Sequence, residues 1–375
     1  MNENDLLYWL WLIAIDGMGS AAIYKLLDVF ETPEGIYCAS DDQINDLIGI
    51  KPKQKQNITA SRDLSLAKKA VRYMEKHQIT LITMMDERYP EKLRDIYEPP
   101  AALFAKGDVS LLERPLSIGI VGSRKASPGG VAQATAFARE LSAAGITIVS
   151  GFARGIDAAA HSASMTEIGS TIAVLGCGIN VCYPKQNKDL YKQILANGGL
   201  ILSEFFLDAA PIAFHFPMRN RIISGLSDGL LVVEASQKSG ALITARHAAD
   251  QGKNVYAIPK DITLVQGVGC SELIKDGAKV VTTAKDILED YVLPESIRIA
   301  ENHFAQTAAT TTTTLPTGLS SDESKIYQLI QSGYNTVEQL EAVSGLDIRA
   351  LNSILSMLEL EDHIAVSYGN ITLLM

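Results

Sequence analysis

The 375-residue sequence is poor in cysteine and has no apolar run long enough to cross a membrane. Its four cysteines (Cys38, Cys177, Cys182 and Cys270) are too few for a disulfide framework in a chain of this length. The five-residue step from Cys177 to Cys182 is not a zinc-pair spacing, so we predict that the cysteines are small buried apolar side chains. The apolar run 6–15 is shorter than the roughly 20 residues of a membrane span. It also follows acidic residues, unlike a signal peptide, and therefore indicates a cytoplasmic protein.

Positive charge is also scarce, because 33 lysine and arginine residues face 43 acidic residues and leave a net charge of −10. Taken over the whole chain, this balance argues against a nucleic-acid partner. The acids are concentrated near the end, where residues 293–375 hold 3 cationic and 10 acidic side chains. Residues 116–292 hold 16 cationic and 15 acidic side chains. The bulk charge therefore does not exclude nucleic acid as a ligand of the middle segment.

Residues 1–85 have the pattern of a small helical domain. Apolar residues recur at helical spacing beside two glycine-containing turns, 15–19 and 47–50, and Lys51, Lys53 and Lys55 follow the second. Such turns are typical of helix-hairpin-helix elements, whose glycines let backbone N–H groups approach a phosphate. The alternative is a pair of plain tight turns, and the sequence leaves both interpretations open.

Residues 86–292 are predicted to form the second domain, and from about residue 116 its sequence repeats a pattern of apolar strand, turn and helix. This alternation predicts an α/β fold, a doubly wound parallel sheet with helices on both faces. The segment 89–107, broken by Pro99 and Pro100, is expected to add edge structure to this domain. The predicted strands are 116–121, 146–150, 171–175, 200–203, 229–233 and 254–258. In such a sheet, ligands bind beyond the carboxyl ends of the strands.

Residues 319–375 form a small module after a threonine-rich linker, 293–318. The predicted helices are 322–332, 336–343 and 347–359, and the predicted strands are 364–367 and 370–374. Three helices followed by a hairpin form the outline of a winged helix. The 8 acidic side chains of the module outnumber its 2 cationic ones, so it should repel phosphate. We therefore predict that it contacts protein or regulates the core instead of reading a DNA groove.

The loop after the first predicted strand of the sheet has the composition of a phosphate site. Gly122 allows close backbone approach, Ser123 and Ser127 offer hydroxyl groups, and Arg124 offers a bidentate fork. A helix N terminus follows. The loop lacks the Gly-x-Gly-x-x-Gly fingerprint of dinucleotide sites and the Gly-Lys-Ser/Thr of ATP-binding loops. We therefore predict phosphate binding without a nicotinamide, ATP or metal cofactor.

More cations and three aromatic side chains follow the other strands. Because parallel strands end at the same edge of a sheet, these loops should converge. The polar set is Arg154, Lys185, Arg219, Asn220, Arg221, Lys238, Ser239, Gly240 and Thr244, and the aromatic set is Phe152, Phe214 and Phe216. A positive groove with aromatic platforms is typical of single-stranded nucleic-acid binding. The alternative is that the aromatic side chains belong to the core.

Little in the sequence indicates catalysis. Asp157 and His161 are four residues apart at a helix start and could face each other, although both also fit structural roles. Glu204 and Glu234 follow two strands and are predicted to anchor arginines. The sequence lacks nucleophile-elbow and metal-cluster patterns. We therefore predict a binding protein with no catalytic residues.

Eight segments between residues 122 and 245 carry a more specific pattern. They are 122–124 (Gly-Ser-Arg), 150–161, 173–178, 183–184, 202–204, 216–227, 233–235 and 239–245. In order and spacing they resemble the DNA-processing protein DprA (Smf) family in its three-domain form. The resemblance implies an extended Rossmann-like core, an N-terminal sterile-alpha-motif-like, helix-hairpin-helix domain and a C-terminal winged helix. It also implies a homodimer that protects incoming single-stranded DNA in natural transformation and loads the RecA recombinase onto it.

The resemblance also implies a set of phosphate contacts. These map onto Gly122, Ser123, Arg124, Ser127, Lys185, Arg219, Asn220, Ser239, Gly240 and Thr244. The chain departs from the family in the 260–271 loop, where Lys260 replaces a usual glycine and Gly267 and Ser271 align with serine and asparagine. Ala241 replaces a further serine. The additional lysine is expected either to attract phosphate or to be solvated.

The alternative from another class is an enzyme. Nucleotide phosphoribohydrolases have a related Rossmann-like core and also bind phosphate. They carry a Pro-Gly-Gly-x-Gly-Thr motif, and the nearest segment here, 238–241 (Lys-Ser-Gly-Ala), does not match it. The sequence therefore favours the single-stranded DNA interpretation.

Overall fold

The computed structural model describes residues 2–292 and, in the tail, residues 320–331, 334, 336–361, 363–367 and 370–373. Its contacts divide the chain into two compact units, Met1–Phe304 and Ala305–Met375. The predicted linker, 293–318, lies outside the described residues. Each unit has an apolar core of its own.

Six helices form the N-terminal region between residues 2 and 77. They are α1 (Glu3–Ala14), α2 (Ser20–Phe30), α3 (Pro33–Cys38), α4 (Asp41–Asn45), α5 (Pro52–Ala60) and α6 (Ser65–His77). Several of them begin at a polar capping residue. Asn2 caps α1 and Ser40 caps α4, and in each case the backbone N–H of the capping residue donates in return to the side chain of the third helical residue. Trp9, Leu10 and Leu26 are buried between these helices. The predicted helical pattern is therefore present over these residues.

A side chain from a neighbouring helix donates a hydrogen bond to each of the two glycine turns of this region. Gly17 and Gly49 have positive φ angles of +74° and +82°, which favour glycine. Gln54 Nε2 of α5 donates to Gly17 O over 2.8 Å, and Lys25 Nζ of α2 donates to Gly49 O over 3.2 Å. Each turn is thus bonded by the helix that follows the other turn. Phosphate binding at the turns stays a prediction.

The end of the segment predicted to be helical forms a strand instead. Strand β1 (Ile79–Thr83) pairs antiparallel with β2 (Ala102–Gly107), and Leu81 lies opposite Phe104. Four of the five β1 residues are β-branched, which favours the extended backbone. The helical prediction is therefore wrong for these residues.

The other strands confirm the predicted parallel α/β sheet. They are β3 (Ser117–Val121), β4 (Thr147–Ser150), β5 (Thr171–Leu175), β6 (Leu200–Ser203), β7 (Gly229–Val232), β8 (Asn254–Ala257) and β9 (Lys279–Val280). The sheet order is β1-β2-β6-β5-β4-β3-β7-β8-β9. Every pair from β6 to β9 is parallel. Segment 89–107 supplies β2, which pairs antiparallel with β6, but the edge strand itself is β1.

The strand order reverses at β3. From there the chain proceeds through β4, β5 and β6 in one direction and later through β7, β8 and β9 in the other. The loops that follow β3 and β7 therefore leave the sheet side by side and open a crevice between them. This is the topological switch point, where open α/β sheets bind their ligands.

Helices cover both faces of the sheet. They are α7 (Pro128–Ala143), α8 (Ile156–Ser164), α9 (Lys188–Ala196), α10 (His215–Leu226), α11 (Gly240–Asp250), α12 (Val268–Lys275) and α13 (Ala284–Leu288). Helices α10 and α11 pack on one face through Ile222 and Ala245, and α7 and α8 share another apolar cluster through Phe137 and Ala160. A third cluster joins the N-terminal helices to the sheet at Leu81 and Phe104. The first unit therefore combines the helical region and the sheet.

The second unit has the predicted winged-helix outline. Its elements are α14 (Ser321–Gln331), α15 (Val337–Ser344), α16 (Ile348–Leu360), β10 (Ile364–Ser367) and β11 (Asn370–Leu373). The strands pair antiparallel, and residues 368 and 369 between them lie outside the described residues. Ile326, Leu340, Leu351 and Ile364 are buried in its core. The described residues of this unit therefore form an apolar cluster of their own.

Two sequence predictions concern membranes and cysteines. Among the described residues, no helix has the length and apolar character needed to cross a membrane. All four cysteines are free thiols, of which Cys177 and Cys270 are buried and Cys182 is partly buried. Cys38, at the end of α3, is exposed, so the prediction of a buried side chain is wrong there.

Candidate nucleic-acid interface

A cleft of about 560 Å³ lies at the switch point of the sheet. The loops after β3 and β7 and the first turns of α10 and α11 form its walls. The predicted residues that line it are Gly122, Ser123, Arg124, Arg219, Asn220, Lys238, Ser239, Gly240 and Thr244, and Lys125 joins them. The structure thus brings together most of the predicted polar set. We call this space the first cleft.

A second cleft of about 330 Å³ adjoins the first. Arg154, Tyr183 and Lys185 line it, and Arg124, Phe216 and Arg219 line both clefts. The guanidinium carbon of Arg124 lies 5.5 Å from the centroid of the Phe216 ring, a cation–π arrangement. This pair therefore stands between the two spaces.

Close backbone packing positions the Gly122–Arg124 loop. A Cβ added at Gly122 would lie 2.6 Å from Ile156 Cγ1. Gly155 has a positive φ of +75°, and a Cβ there would lie 2.3 Å from Ser123 O. Ile156 N donates to the same Ser123 oxygen over 3.2 Å. The two glycines therefore allow the loop to sit directly on the start of α8.

Ser127 and the N terminus of α7 do not face either cleft. Ser127 Oγ accepts from Gly130 N over 2.9 Å as the helix cap and donates to Glu234 Oε1. Ser127 N donates to Glu234 Oε2 over 3.0 Å. The Glu234 carboxylate thus takes the position that we predicted for a phosphate, so the prediction is wrong for Ser127 and for this helix terminus.

Arg221 is also placed away from the clefts. It is 6% exposed and forms a bidentate ion pair with Glu204, with N–O distances of 2.8 and 2.6 Å. Its Nε donates to Glu98 O over 2.8 Å, and Ser20 Oγ of α2 donates to the Glu204 carboxylate over 2.8 Å. Arg221 therefore joins the sheet to the N-terminal helices, and its predicted ligand contact is wrong. The prediction that Glu204 anchors an arginine is confirmed.

The partner of Glu234 differs from the prediction. Glu234 Oε1 lies 3.6 Å from Lys260 Nζ, and the two side chains are 4% and 10% exposed. Glu234 therefore anchors a lysine instead of an arginine. Lys260, expected to attract phosphate or to be solvated, is buried in this ion pair.

Arg219 lies at the floor of both clefts. Only 4% of it is exposed, and its Nη1 donates to Gly151 O over 2.7 Å and to Val174 O. Burial lowers the pKa of Arg219 to about 10, which leaves the guanidinium charged at neutral pH. Burial raises the pKa of the nearby Asp157 carboxyl, and the charge of Arg219 opposes that rise. Arg219 thus holds the ends of β4 and β5 together and supplies a positive charge beneath both clefts.

Asn220 and Ser239 position the start of α11. Ser239 caps the helix by accepting from Ala241 N over 3.3 Å, and Asn220 Nδ2 donates to Gly240 O over 3.3 Å. A Cβ at Gly240 would meet no atom within 4 Å. The N terminus of α11 is therefore open to the first cleft, in contrast to that of α7.

Two of the residues considered for stacking or catalysis belong to the core. Phe152 belongs to the lining of the second cleft, but its side chain is fully buried with its ring 6.1 Å from that of Tyr191, so it offers no exposed face to a base and the stacking prediction is wrong for it. His161 is also fully buried, and its Nδ1 lies 2.7 Å from Thr171 Oγ1 instead of facing Asp157. Burial lowers the pKa of His161 to about 3, so the ring is neutral at physiological pH. The alternative of a catalytic Asp157–His161 pair therefore fails.

The other aromatic side chains lie at different distances from the clefts. Phe216 lines both, whereas Phe214, 70% exposed, lines neither. Sequence reasoning missed Tyr183, which is 43% exposed in the second cleft with its ring 5.5 Å from that of Phe216. Its place directly before Pro184 and Lys185, in a strand-end loop, was the available signal. Stacking on Phe214 stays a prediction.

Comparison with known protein families gives one match for the sheet and another for the tail. Residues 80–292 match the family described as DNA recombination-mediator protein A, and residues 309–370 match the DprA winged helix domain. The chain is similar to Protein Smf of Synechocystis, with 33% identity over 96% of both chains. The family match begins at β1, in agreement with the place of this strand in the sheet.

Two solved structures extend the likeness to the fold. One is DNA processing protein A from Streptococcus pneumoniae, with 34% identity and a TM-score of 0.61, covering 77% of this chain and 99% of that one. The other is DNA processing protein A from Helicobacter pylori, described for its single-stranded DNA binding mode. It has 32% identity and a TM-score of 0.52, covering 57% of this chain and 98% of that one. With the matching core and winged helix, these likenesses show that the chain belongs to the DprA/Smf family of DNA recombination mediators.

Proposed function

We propose that the chain binds single-stranded DNA in the two clefts. The observation that carries this proposal is the Arg124–Phe216 pair, which separates a cleft of phosphate-binding groups from a cleft with aromatic walls. A single strand presents phosphates and unpaired bases side by side, so it can use both spaces at once. The described binding mode of the Helicobacter pylori relative supports the same ligand.

The first cleft suits the phosphates. The open N terminus of α11 directs backbone N–H groups and a partial positive charge into it, and Lys238 lies beside this terminus. Arg124 is exposed on the opposite wall, where its fork can hold phosphate oxygens. These contacts recognise the backbone without reading the bases, so the predicted affinity is independent of sequence.

The second cleft suits a base. Tyr183 and Phe216 supply aromatic faces, and Arg154 and Lys185 supply positive charge at the same space. Every base has a face that can stack, which keeps this contact tolerant of sequence. A base in a duplex is already stacked and paired, so the arrangement favours a single strand.

We further propose that the chain acts as a cytoplasmic homodimer that passes bound strands to the RecA recombinase during natural transformation. Membership in a family of recombination mediators supports this role, because a mediator must hold the strand and then give it to a recombinase. Backbone contacts suit such a transfer, since they bind any sequence. Protein contact by the winged helix is part of the same proposal.

The test compares a single-stranded and a duplex oligonucleotide in a mobility shift across a salt series. We expect tighter binding of the single strand, with log K falling linearly against log salt concentration by about 0.7 per phosphate contacted. Mixed and homopolymeric sequences should bind alike. Equal affinity for duplex, or binding insensitive to salt, would overturn the proposal.

Removal of the winged helix should leave the affinity for single-stranded DNA unchanged within about twofold. The unit has its own core and an acidic composition, so it adds no favourable phosphate contact. A chain ending at residue 318 and the full chain are compared in the same mobility shift. A large loss of affinity in the shorter chain would show that the tail takes part in DNA binding.

A further inference from the structure

Lys260 is a largely buried cation that the proposed DNA contacts do not use. It follows β8 in the first unit, and its side chain is 10% exposed. Its Nζ lies 3.6 Å from Glu234 Oε1 and donates to Gln133 Oε1 of α7. It lines neither the first nor the second cleft. A lysine in this position carries charge without presenting it to a ligand.

The partner of Lys260 holds the loop between β3 and α7. Both carboxylate oxygens of Glu234 accept hydrogen bonds from Ser127, one from its backbone N–H and one from its hydroxyl. A Cβ at Gly130 would lie 2.3 Å from Glu234 Cδ, so the carboxylate is pressed against the first turn of α7. At the other end of the loop, a Cβ at Gly122 would lie 3.0 Å from Glu234 O. Glu234 therefore bonds one end of the loop that carries Arg124, at Ser127, and packs closely against the other end, at Gly122.

The N terminus of α7 balances only part of the carboxylate charge. A helix terminus carries roughly half an elementary charge. Glu234 is 4% exposed, so water contributes little, and the ammonium group of Lys260 supplies the remaining compensation. Without it, an unbalanced negative charge would lie directly below a loop that has to bind phosphate.

We infer that Lys260 is a positioning residue for single-stranded DNA binding, acting through Glu234 without touching the DNA. It balances the charge of the Glu234 carboxylate and holds that side chain in place, so that the Gly122–Ser127 loop retains its shape and the first cleft its positive potential. The inference rests on the proposed function, since the effect is read out on the affinity for the strand. It also assigns a role to a residue at which this chain departs from the pattern of the family it resembles.

The test compares Lys260→Met with the double variant Lys260→Met/Glu234→Gln in full-length protein. Lys275→Met, which removes an exposed lysine at the end of α12, is the matched control for net charge. The affinity for a single-stranded oligonucleotide is measured across a salt series, and thermal unfolding is followed for each variant. We expect Lys260→Met to weaken binding roughly tenfold, by the field of one uncompensated charge near the phosphate.

Two further results distinguish an indirect role from a direct contact. The salt slope of Lys260→Met should equal that of the unmodified chain, because no phosphate contact is removed. The double variant should recover the affinity to within about twofold, since the unbalanced carboxylate is gone, and should also recover the unfolding temperature. A slope reduced by about 0.7 without recovery would assign Lys260 to a direct phosphate contact and overturn the inference. Affinity unchanged in Lys260→Met would overturn it as well.

A failure of the proposed function would look different. In that case the unmodified chain itself would show no preference for the single strand. The thermal measurement still tests the pair, because Lys260→Met should unfold at a lower temperature and Glu234→Gln in the same chain should restore it. If Lys260→Met does not fold, recovery of folding and affinity in the double variant supports the inference, and its absence contradicts it.

Discussion

Replacing Arg124 with alanine should weaken single-stranded DNA binding by roughly 10- to 100-fold at low salt. A charge-assisted hydrogen bond contributes about 1.5–3 kcal/mol, and Arg124 is the exposed cation at the boundary of the two clefts. The loss should be the same for every sequence, because the proposed contact is with the phosphate backbone, which all strands share. The salt slope should also become shallower by about 0.7 for the lost contact. Fluorescence anisotropy with labelled oligonucleotides of several sequences measures both quantities.

A matched control is Arg139→Ala, which removes an exposed arginine from α7 outside both clefts. It changes the net charge equally and should leave the affinity within about twofold of the original, since distant exposed charges are screened by salt. Near-unchanged affinity in Arg124→Ala at low salt would contradict the assignment of this loop. A loss confined to certain sequences would instead indicate contact with bases.

Replacing Arg219 with methionine should lower the free energy of unfolding of the first unit by about 3–5 kcal/mol. The change removes the cation that favours the charged form of the buried Asp157 carboxyl, whose pKa burial already raises. It also removes the hydrogen bonds to the carbonyl oxygens of Gly151 and Val174, which hold the ends of β4 and β5. Urea unfolding measures the loss as a lower midpoint at an unchanged slope.

The companion variant Arg219→Met/Asp157→Asn separates charge from geometry. It removes the uncompensated carboxylate and should regain part of the lost stability, while the two carbonyl oxygens still lack their donor. A loss below about 1 kcal/mol in Arg219→Met, which is the size of a surface change, would show that Arg219 is not the structural cation described above. Full recovery in the double variant would assign the whole effect to charge.

The fold was largely predictable because its main strands are buried on both faces. Such strands appear as continuous apolar runs between glycine-rich loops, and all six predicted runs became strands. Strand β9 has only two residues, Lys279 and Val280, which is too short for a pattern to show. Strand β1 follows directly after α6, so no loop marked the change from helix to strand.

The loops that form the candidate site were predictable from the sequence, but the directions in which their side chains point were not predicted. On α10, the residues that reach the first cleft include Phe216, Arg219, Asn220 and Ile223, which share one face at helical spacing. Arg221 lies on another face and meets Glu204. Helical periodicity in segment 215–226 could therefore have separated Arg219 from Arg221 in the sequence.

Other parts of the site depend on partners that are distant in sequence. Ser127 and Glu234 are 107 residues apart, and no local pattern connects them. A helix N terminus, a serine and a glycine next to a loop predict a phosphate site whether or not an internal carboxylate occupies it. Only the three-dimensional structure shows that the Glu234 carboxylate occupies the N terminus of α7, whereas the N terminus of α11 is open to the first cleft. The same holds for Phe152, whose burial is decided by the packing of Tyr191 and His161.

Parts of a chain that share one apolar core can be exchanged between relatives only together. The described residues of the winged-helix unit form an apolar cluster of their own. The N-terminal helices are different, because they cover Leu81 and Phe104 and give Ser20 to the Glu204 carboxylate. A replacement for them must bring a matching apolar face and a donor for that carboxylate. We therefore expect relatives to inherit the N-terminal helices and the sheet together, and the winged helix independently of them.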